Sequence, residues 1–153
     1  MEKTRLETFS DGVIAIIITI MVLELKVPDE SIITAWRELA PKFISYVLSF
    51  LLIAIMWGNH HHVFQIVKAV DGKLMWANIN LLFWMSLIPF ATAYLGEHYT
   101  EPAAVALYGV VLSFSVIAFT ILRSAISKQH LDNAELNKQD QYIFRKNILS
   151  NFL

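Results

Sequence analysis

The stretch RLETFSDGVIAIIITIMVLELKVP, residues 5–28, decides what kind of protein this is. No charged residue occurs between Gly12 and Leu23, and apolar side chains dominate residues 6–25. A helix needs about 20 such residues to cross a hydrocarbon core of about 30 Å. The stretch therefore predicts a transmembrane helix over residues 6–25. It is too long for the apolar region of a typical signal peptide and lacks a cleavage site of small residues, so we expect it to be retained.

The composition of the whole chain favours the same environment. Of 153 residues, 56% are hydrophobic and 16% are charged, whereas a soluble domain carries about a quarter charged residues. The lipid bilayer is the solvent that accepts so much apolar surface. The net charge of −1 gives no basic excess that would indicate a nucleic-acid partner. Because the sequence contains no cysteine, disulfides and thiolate metal sites are excluded.

Further apolar segments have the length of a membrane span. Pro41 suits the opening of the second span, because a helix tolerates proline in its first turn. Pro89 lies inside the third span, where neighbouring groups or local 3₁₀ geometry can satisfy the carbonyl that proline leaves free. The predicted spans after the first are 43–63, 74–95 and 103–126.

The end of the chain turns polar and then apolar again. Residues 127–141 predict a polar loop. Residues 142–153 are too few to cross the membrane, so they predict either an interfacial helix or the first part of a fifth span. The predicted fold class is an all-α membrane protein. It consists of one transmembrane domain over residues 1–153, a bundle of four clear spans plus a partial fifth.

Basic residues are distributed unequally between the two sides of the predicted spans. The side with the N-terminus carries nine Lys and Arg residues, and the opposite side carries three, namely Lys26, Arg37 and Lys42. Short cytoplasmic loops are enriched in Lys and Arg. The sequence therefore predicts a multi-pass protein of the plasma membrane with a cytoplasmic N-terminus.

Polar side chains occur at one common depth in the first three spans. Polar groups within a membrane usually face protein or water and pair with one another. They predict either a network that ties the three spans together or a set of unrelated interfacial anchors. The candidate members are Arg5, Ser10, Asp11, His60, His61, Asn78, Asn80 and Trp84.

An aliphatic stripe follows Asp11 in the first span. Ile16, Ile20 and Leu23 recur at helical spacing, and Thr19 flanks them. Four symmetric copies of this stripe could close around an axis as rings of aliphatic side chains with a ring of hydroxyls between them. Such a constriction gates by dewetting. The alternative is a lipid-facing surface, because any transmembrane helix supplies aliphatic residues at this spacing.

Other kinds of site are disfavoured by the sequence. His60, His61 and His62 are adjacent, and neighbouring residues on a helix point about 100° apart, so all three cannot bind one metal ion. We expect one histidine to hydrogen-bond within the bundle instead. No Ser/His/Asp set or phosphate loop indicates an enzyme. The potassium-channel filter Thr-Val-Gly-Tyr-Gly is absent as well.

The motif Arg5-x-x-x-Phe9-Ser10-Asp11, directly before the Ile-rich span, resembles the signature of the transmembrane protein 175 family of potassium channels. Trp57 followed by the histidines and Phe64 is similar to the second helix of that family. The resemblance covers essentially the whole chain. Family members usually have six spans per repeat unit, so the sequence is expected to be either truncated or a shorter member.

The resemblance implies a homotetramer that conducts K⁺, in which the first helix of each subunit lines a central pore. It implies the narrowest hydrophobic ring at Ile16, further rings at Ile20 and Leu23, and a hydroxyl layer at Thr19 that contributes to selectivity. It also implies that the motif residues hold the pore helix to the helices behind it; these are Arg5, Phe9, Ser10 and Asp11.

The leading hypothesis is a potassium-selective channel that is not an enzyme. Its partners would be further copies of the same chain, the lipid bilayer and permeant K⁺, without a cofactor. Asp11, Glu7 and the histidines leave a proton-coupled secondary transporter open as an alternative. A membrane scaffold that transports nothing is the third possibility.

Overall fold

The computed structural model describes residues 2–27, 29 and 31–132, and it is helical throughout its regular structure. Four helical segments long and apolar enough to cross a membrane account for most of this part of the chain. The predicted fold class, a membrane bundle of four spans, is therefore confirmed. The helices are α1 (Lys3–Leu23), α2 (Ile32–Gln65), α3 (Gly72–Ser86), α4 (Ile88–Glu97) and α5 (Pro102–Asp132).

Helix α1 is helical although it is rich in isoleucine, a residue that is only a moderate helix former in water. In lipid every backbone polar group needs an internal partner, and a helix supplies one. One face of α1 is buried against α2, α3 and α4. The residues of this buried face recur every three or four positions, and they are Leu6, Ser10, Ile14, Ile17 and Met21.

The second span begins earlier than its apolar pattern indicates. Helix α2 starts at Ile32, so Pro41 lies inside it and not at its opening as predicted. A proline removes the bond to the carbonyl four residues before it, here that of Arg37. Arg37 is exposed, so water or lipid headgroups can bind the freed carbonyl.

The third span consists of two helices, whereas the sequence predicted one segment over 74–95. Pro89 has no N–H, so the carbonyl of Met85 lacks its usual helical partner. The N–H of Leu87 bonds instead to the carbonyls of Trp84 and Met85, which separates α3 from α4. Together the two helices still form one apolar span, Gly72–Glu97.

Helix α5 is longer than predicted and ends at Asp132. Residues 127–132, assigned to the polar loop by the sequence, are therefore helical. The remainder of that loop and the segment 142–153 lie outside the described residues. Within the described chain, α5 packs mainly on α3, and α2 packs mainly on α4.

Helices α2 and α4 approach each other closely at Gly96. A Cβ atom added there would lie 2.9 Å from Cα of Lys42, a backbone atom that can move only with its helix. We expect Gly96→Ala to lower the free energy of unfolding by about 1–3 kcal/mol, because an overfilled contact forces a backbone shift. The matched control is Gly109→Ala in α5, where nothing lies within 4 Å of the added atom. Equal stability of the two variants in detergent unfolding would contradict this close contact.

Candidate pore face and polar network

The stripe predicted from the sequence lies on the face of α1 that is open in a single subunit. Ile16 is 58% exposed and Leu23 is 76% exposed, and Ile20 is exposed as well. The buried face of the helix lies on the other side, against the rest of the bundle. This open face, which we call the α1 face, is therefore available to lipid or to another copy of the chain.

Thr19 adds a hydroxyl group to the α1 face. Its Oγ1 donates a hydrogen bond to the carbonyl of Ile16 at 2.8 Å, and the residue is exposed. A hydroxyl has one donor and two acceptor lone pairs. Because the donor is used inside the helix, the side chain presents acceptor capacity to whatever lies on the open side.

The α1 face continues towards the N-terminus through Gly12, Phe9 and Arg5. All three residues are exposed, and Phe9 has more than half of its surface uncovered. Arg5 forms no ion pair with any residue that the structure describes. The structure thus does not place Arg5 and Phe9 against the helices behind α1, where the resemblance would put them.

A buried hydrogen-bonded chain joins α1, α3 and α2. Nδ2 of Asn78 donates to Oγ of Ser10 at 2.8 Å, and Oγ of Ser10 donates to the carbonyl of Leu6 at 2.8 Å. Oδ1 of Asn78 lies 2.8 Å from Nε2 of His60. Ser10, Asn78 and His60 are almost completely inaccessible to solvent. We call this set the buried polar chain, and it connects the buried side of α1 to α3 and α2.

A second set of contacts joins the more exposed edges of α1 and α2. Nε1 of Trp57 donates to Oδ1 of Asp11 at 2.9 Å, and Nδ1 of His61 lies 3.5 Å from Oε1 of Glu7. One turn further on, Nζ of Lys3 donates to the carbonyl of Gln65 at 3.3 Å. From one pair to the next the position moves back by four residues along α1 and forward by four along α2, as expected for adjacent antiparallel helices.

Two residues predicted for the network lie elsewhere. Asn80 is half-buried, and its side chain makes no hydrogen bond with any residue in the described ranges. It follows Asn78 by two positions, about 200° around the helix, so it points away from the buried polar chain. Trp84 stacks on Phe114 of α5 with a centroid distance of 4.4 Å.

A separate hydroxyl chain near the other end of the bundle was not anticipated from the sequence. Oγ1 of Thr92 bonds to the carbonyl of Ile88 at 2.7 Å and to Oγ of Ser49 at 2.7 Å. Ser49 also lies 2.8 Å from Oη of Tyr108, so the chain joins α4, α2 and α5. The available signal was the presence of hydroxyl residues inside apolar spans, because such groups bond across helices.

The three adjacent histidines, residues 60–62, have different surroundings. His60 belongs to the buried polar chain, His61 faces Glu7, and His62 is exposed. Among the residues that the structure describes, no group of three or more His, Asp or Glu side chains is placed to hold a metal ion.

Comparison with known proteins places this geometry among channels. The model of a family described as endosomal/lysosomal potassium channel TMEM175 matches residues 5–89. A potassium channel of Chryseobacterium sp. (strain P1-3) is 48% identical over 148 residues, which cover 97% of this chain and 77% of the relative. The human endosomal/lysosomal proton channel TMEM175 is 24% identical over 152 residues, covering 95% of this chain and 30% of the human protein.

A solved structure has a similar fold. It is the crystal structure of a lysosomal potassium-selective channel TMEM175 homolog from Chamaesiphon minutus. The TM-score is 0.74 and the sequences are 34% identical. The match covers 94% of this chain and 80% of the other.

Proposed function

This chain belongs to the TMEM175 family of ion channels, and from that premise we propose that it is a potassium-selective channel assembled from four copies. In this proposal α1 of each subunit lines a shared central pore. K⁺ is the permeant species and no cofactor is needed. Membership of a channel family also agrees with the expectation that the chain is not an enzyme.

The α1 face is the observation that carries the proposal. The pore helix of a tetramer has to pack on its own subunit with one side and leave the opposite side open towards the axis. Helix α1 has this arrangement, because its buried residues lie opposite Ile16 and Thr19. A hydroxyl side chain within a membrane span also gains more from a water-containing pore than from lipid, where polar groups are costly.

The chemistry of the α1 face suits selection by dehydration. Rings of Ile16, Ile20 and Leu23 would narrow the pore with groups that cannot replace the hydration shell of an ion. An ion that passes such a constriction loses water at a free-energy cost that is higher for Na⁺ than for the less strongly hydrated K⁺. Acceptor oxygens of Thr19 between the rings would offset part of this cost.

The buried polar chain has a positioning role in the proposal. A helix with apolar residues on all sides can rotate in a membrane with little change in free energy. Ser10 is held by Asn78, so rotation of α1 would break buried hydrogen bonds. The buried polar chain therefore keeps Ile16 directed towards the axis.

We also propose the orientation that the basic residues predict, with the N-terminus on the cytoplasmic side of the plasma membrane. In that orientation the buried polar chain lies in the cytoplasmic half of the bundle. The hydroxyl chain of Ser49, Thr92 and Tyr108 lies in the outer half.

A flux assay with purified protein in liposomes tests the proposal. We expect K⁺ to cross faster than Na⁺ under equal gradients, in protein that chemical cross-linking shows to be tetrameric. Empty liposomes are the control for leakage. Tetrameric protein without K⁺ flux would exclude the channel. Saturable flux driven by a pH gradient would favour a transporter, and cross-linking that yields only monomers would favour a scaffold.

A further inference from the structure

Helices α2 and α3 lie behind α1, one on each side of it. Asp11 and Glu7 of α1 contact α2, whereas Ser10 contacts α3. Adjacent residues of a helix point about 100° apart, and by the same count Ile16 points more than about 100° away from both Ser10 and Asp11. If the α1 face lines a central pore, α2 and α3 therefore form the two flanks of the subunit.

The first flank is an open stripe on α2. His60 faces α3 and His61 faces α1, so a further turn of about 100° directs His62 past α1 and away from its own bundle. Gly58 and Leu51 lie on the same side, one turn and three turns earlier. A Cβ atom added at Gly58 would meet nothing within 4 Å, so the stripe has a gap there. We call this stripe of Leu51, Gly58 and His62 the α2 flank.

The second flank is a ridge of large side chains on α3. Asn78 faces α1 and α2, and Trp84 stacks on α5. The side of α3 that remains open carries Trp76, Ile79 and Phe83, and we call it the α3 flank. Trp76 is 67% exposed and Phe83 is 55% exposed. The indole N–H of Trp76 has no acceptor among the residues that the structure describes, whereas a covered indole N–H usually has one.

The hydrogen bond between His60 and Asn78 fixes the relative heights of the two flanks in the membrane. Consecutive spans are antiparallel, so two steps forward along α2 match two steps back along α3, and His62 lies at the height of Trp76. In a ring of subunits around an axis normal to the membrane, rotation leaves the height of every residue unchanged. A residue can therefore contact only residues of similar height in the next subunit, and the two flanks meet this requirement.

We propose that the α2 flank of one subunit packs against the α3 flank of the next subunit. Trp76 covers His62 of the neighbouring copy and donates its indole N–H to the imidazole ring. Ile79 and Phe83 lie on either side of the height of Gly58 and fill the gap that the glycine leaves, because small residues let membrane helices approach closely. This interface rests on the proposed function, since the position of the α1 face at the axis makes α2 and α3 the flanks.

Thiol cross-linking tests the interface without further changes, because the chain contains no cysteine. We expect chains with His62→Cys and chains with Trp76→Cys, expressed together, to be joined as dimers by a short bifunctional thiol reagent, whereas neither chain alone is joined. A chain with both substitutions should give a ladder that ends at the tetramer. Ile121→Cys is the matched control for Trp76→Cys. The stacking of Trp84 on Phe114 places Ile121 near the height of Trp76, but on the exposed surface of α5, so it should give no dimer with His62→Cys.

Filling the gap at Gly58 tests the packing separately. We expect Gly58→Leu to raise the dissociation constant of the subunits in detergent by roughly tenfold, because an added side chain overfills the contact. Gly109→Leu in α5 is the matched control. It also has nothing within 4 Å of an added Cβ atom, and it should leave assembly unchanged. Equal assembly of the two variants would contradict the packing of the α3 flank into the gap.

The outcomes separate this interface from the channel itself. Tetramers that pass K⁺ but give no dimer from the mixed chains would overturn the interface and leave the channel standing. A dimer yield as high with Ile121→Cys as with Trp76→Cys would overturn it as well. A ladder that ends at the tetramer, in protein without K⁺ flux, would support the interface and refute the channel. Protein that amine cross-linking shows to be monomeric would refute both.

Discussion

Asn78→Leu is expected to lower the free energy of unfolding by about 2 kcal/mol. The amide of Asn78 satisfies His60 with its oxygen and Ser10 with its nitrogen. Leucine has a similar size but no polar atom in its side chain, so the His60 ring would keep no hydrogen-bond partner among the described residues. A buried polar group left in this state costs about 1–3 kcal/mol. The loss of stabilisation at Ser10 is smaller, because its hydroxyl still donates a hydrogen bond to the carbonyl of Leu6.

Asn80→Leu is the matched control for that measurement. Asn80 belongs to the same helix and is half-buried, and its side chain forms no hydrogen bond within the described part of the chain. We expect its replacement to change stability by less than about 0.5 kcal/mol. The two variants can be compared by equilibrium unfolding in mixed detergent micelles. If both lose the same stability, the buried polar chain is not what holds α1 in place.

Ile16→Asn is expected to lower the K⁺/Na⁺ permeability ratio by about tenfold, which corresponds to about 1.4 kcal/mol. In the proposed pore, an amide in the ring of residue 16 would replace part of the water that an ion loses there. The free-energy cost of dehydration would fall more for Na⁺, which is the more strongly hydrated ion. The difference in this cost between Na⁺ and K⁺ would therefore become smaller. Single-channel recording with K⁺ on one side and Na⁺ on the other measures this ratio as a reversal potential.

Ile55→Asn is the control that separates the α1 face from any exposed apolar position. Ile55 is 59% exposed, against 58% for Ile16, but it belongs to α2. Its replacement should leave the permeability ratio unchanged. An unchanged ratio in Ile16→Asn, with tetramers and K⁺ currents intact, would show that Ile16 does not line the constriction.

The fold could be predicted largely from the sequence, because the bilayer imposes strong constraints on the chain. The uncharged run from Gly12 to Leu23 predicts a helix regardless of its neighbours, since lipid leaves the backbone no other partner. The break at Leu87 and the early start of α2 were harder to predict from the sequence. Both depend on which donor bonds to the carbonyl that loses its helical partner at a proline. The local geometry around Pro89 and Pro41 decides this.

The candidate site was predictable as a set of residue types at one depth, but not as a set of contacts. Depth follows from counting along a span, so Ser10, His60 and Asn78 could be expected at one level. The sequence could not predict that Asn78, and not Asn80, bonds to Ser10 and His60, because this depends on the rotation of α3 about its own axis. The same holds for Arg5, which lies on the α1 face and not against the bundle.

By itself, the sequence determined that this chain is a membrane bundle with a polar cluster near one end and an aliphatic stripe in its first helix. The periodicity of a helix and the thickness of a bilayer are sufficient for those statements. Only the tertiary structure decided that His60 bonds to Asn78 while His61 faces Glu7, and that Nδ1 of His60 stays unpaired among the described residues. The physical reason is that hydrogen bonds act over about 3 Å, so they depend on how neighbouring helices rotate and cross.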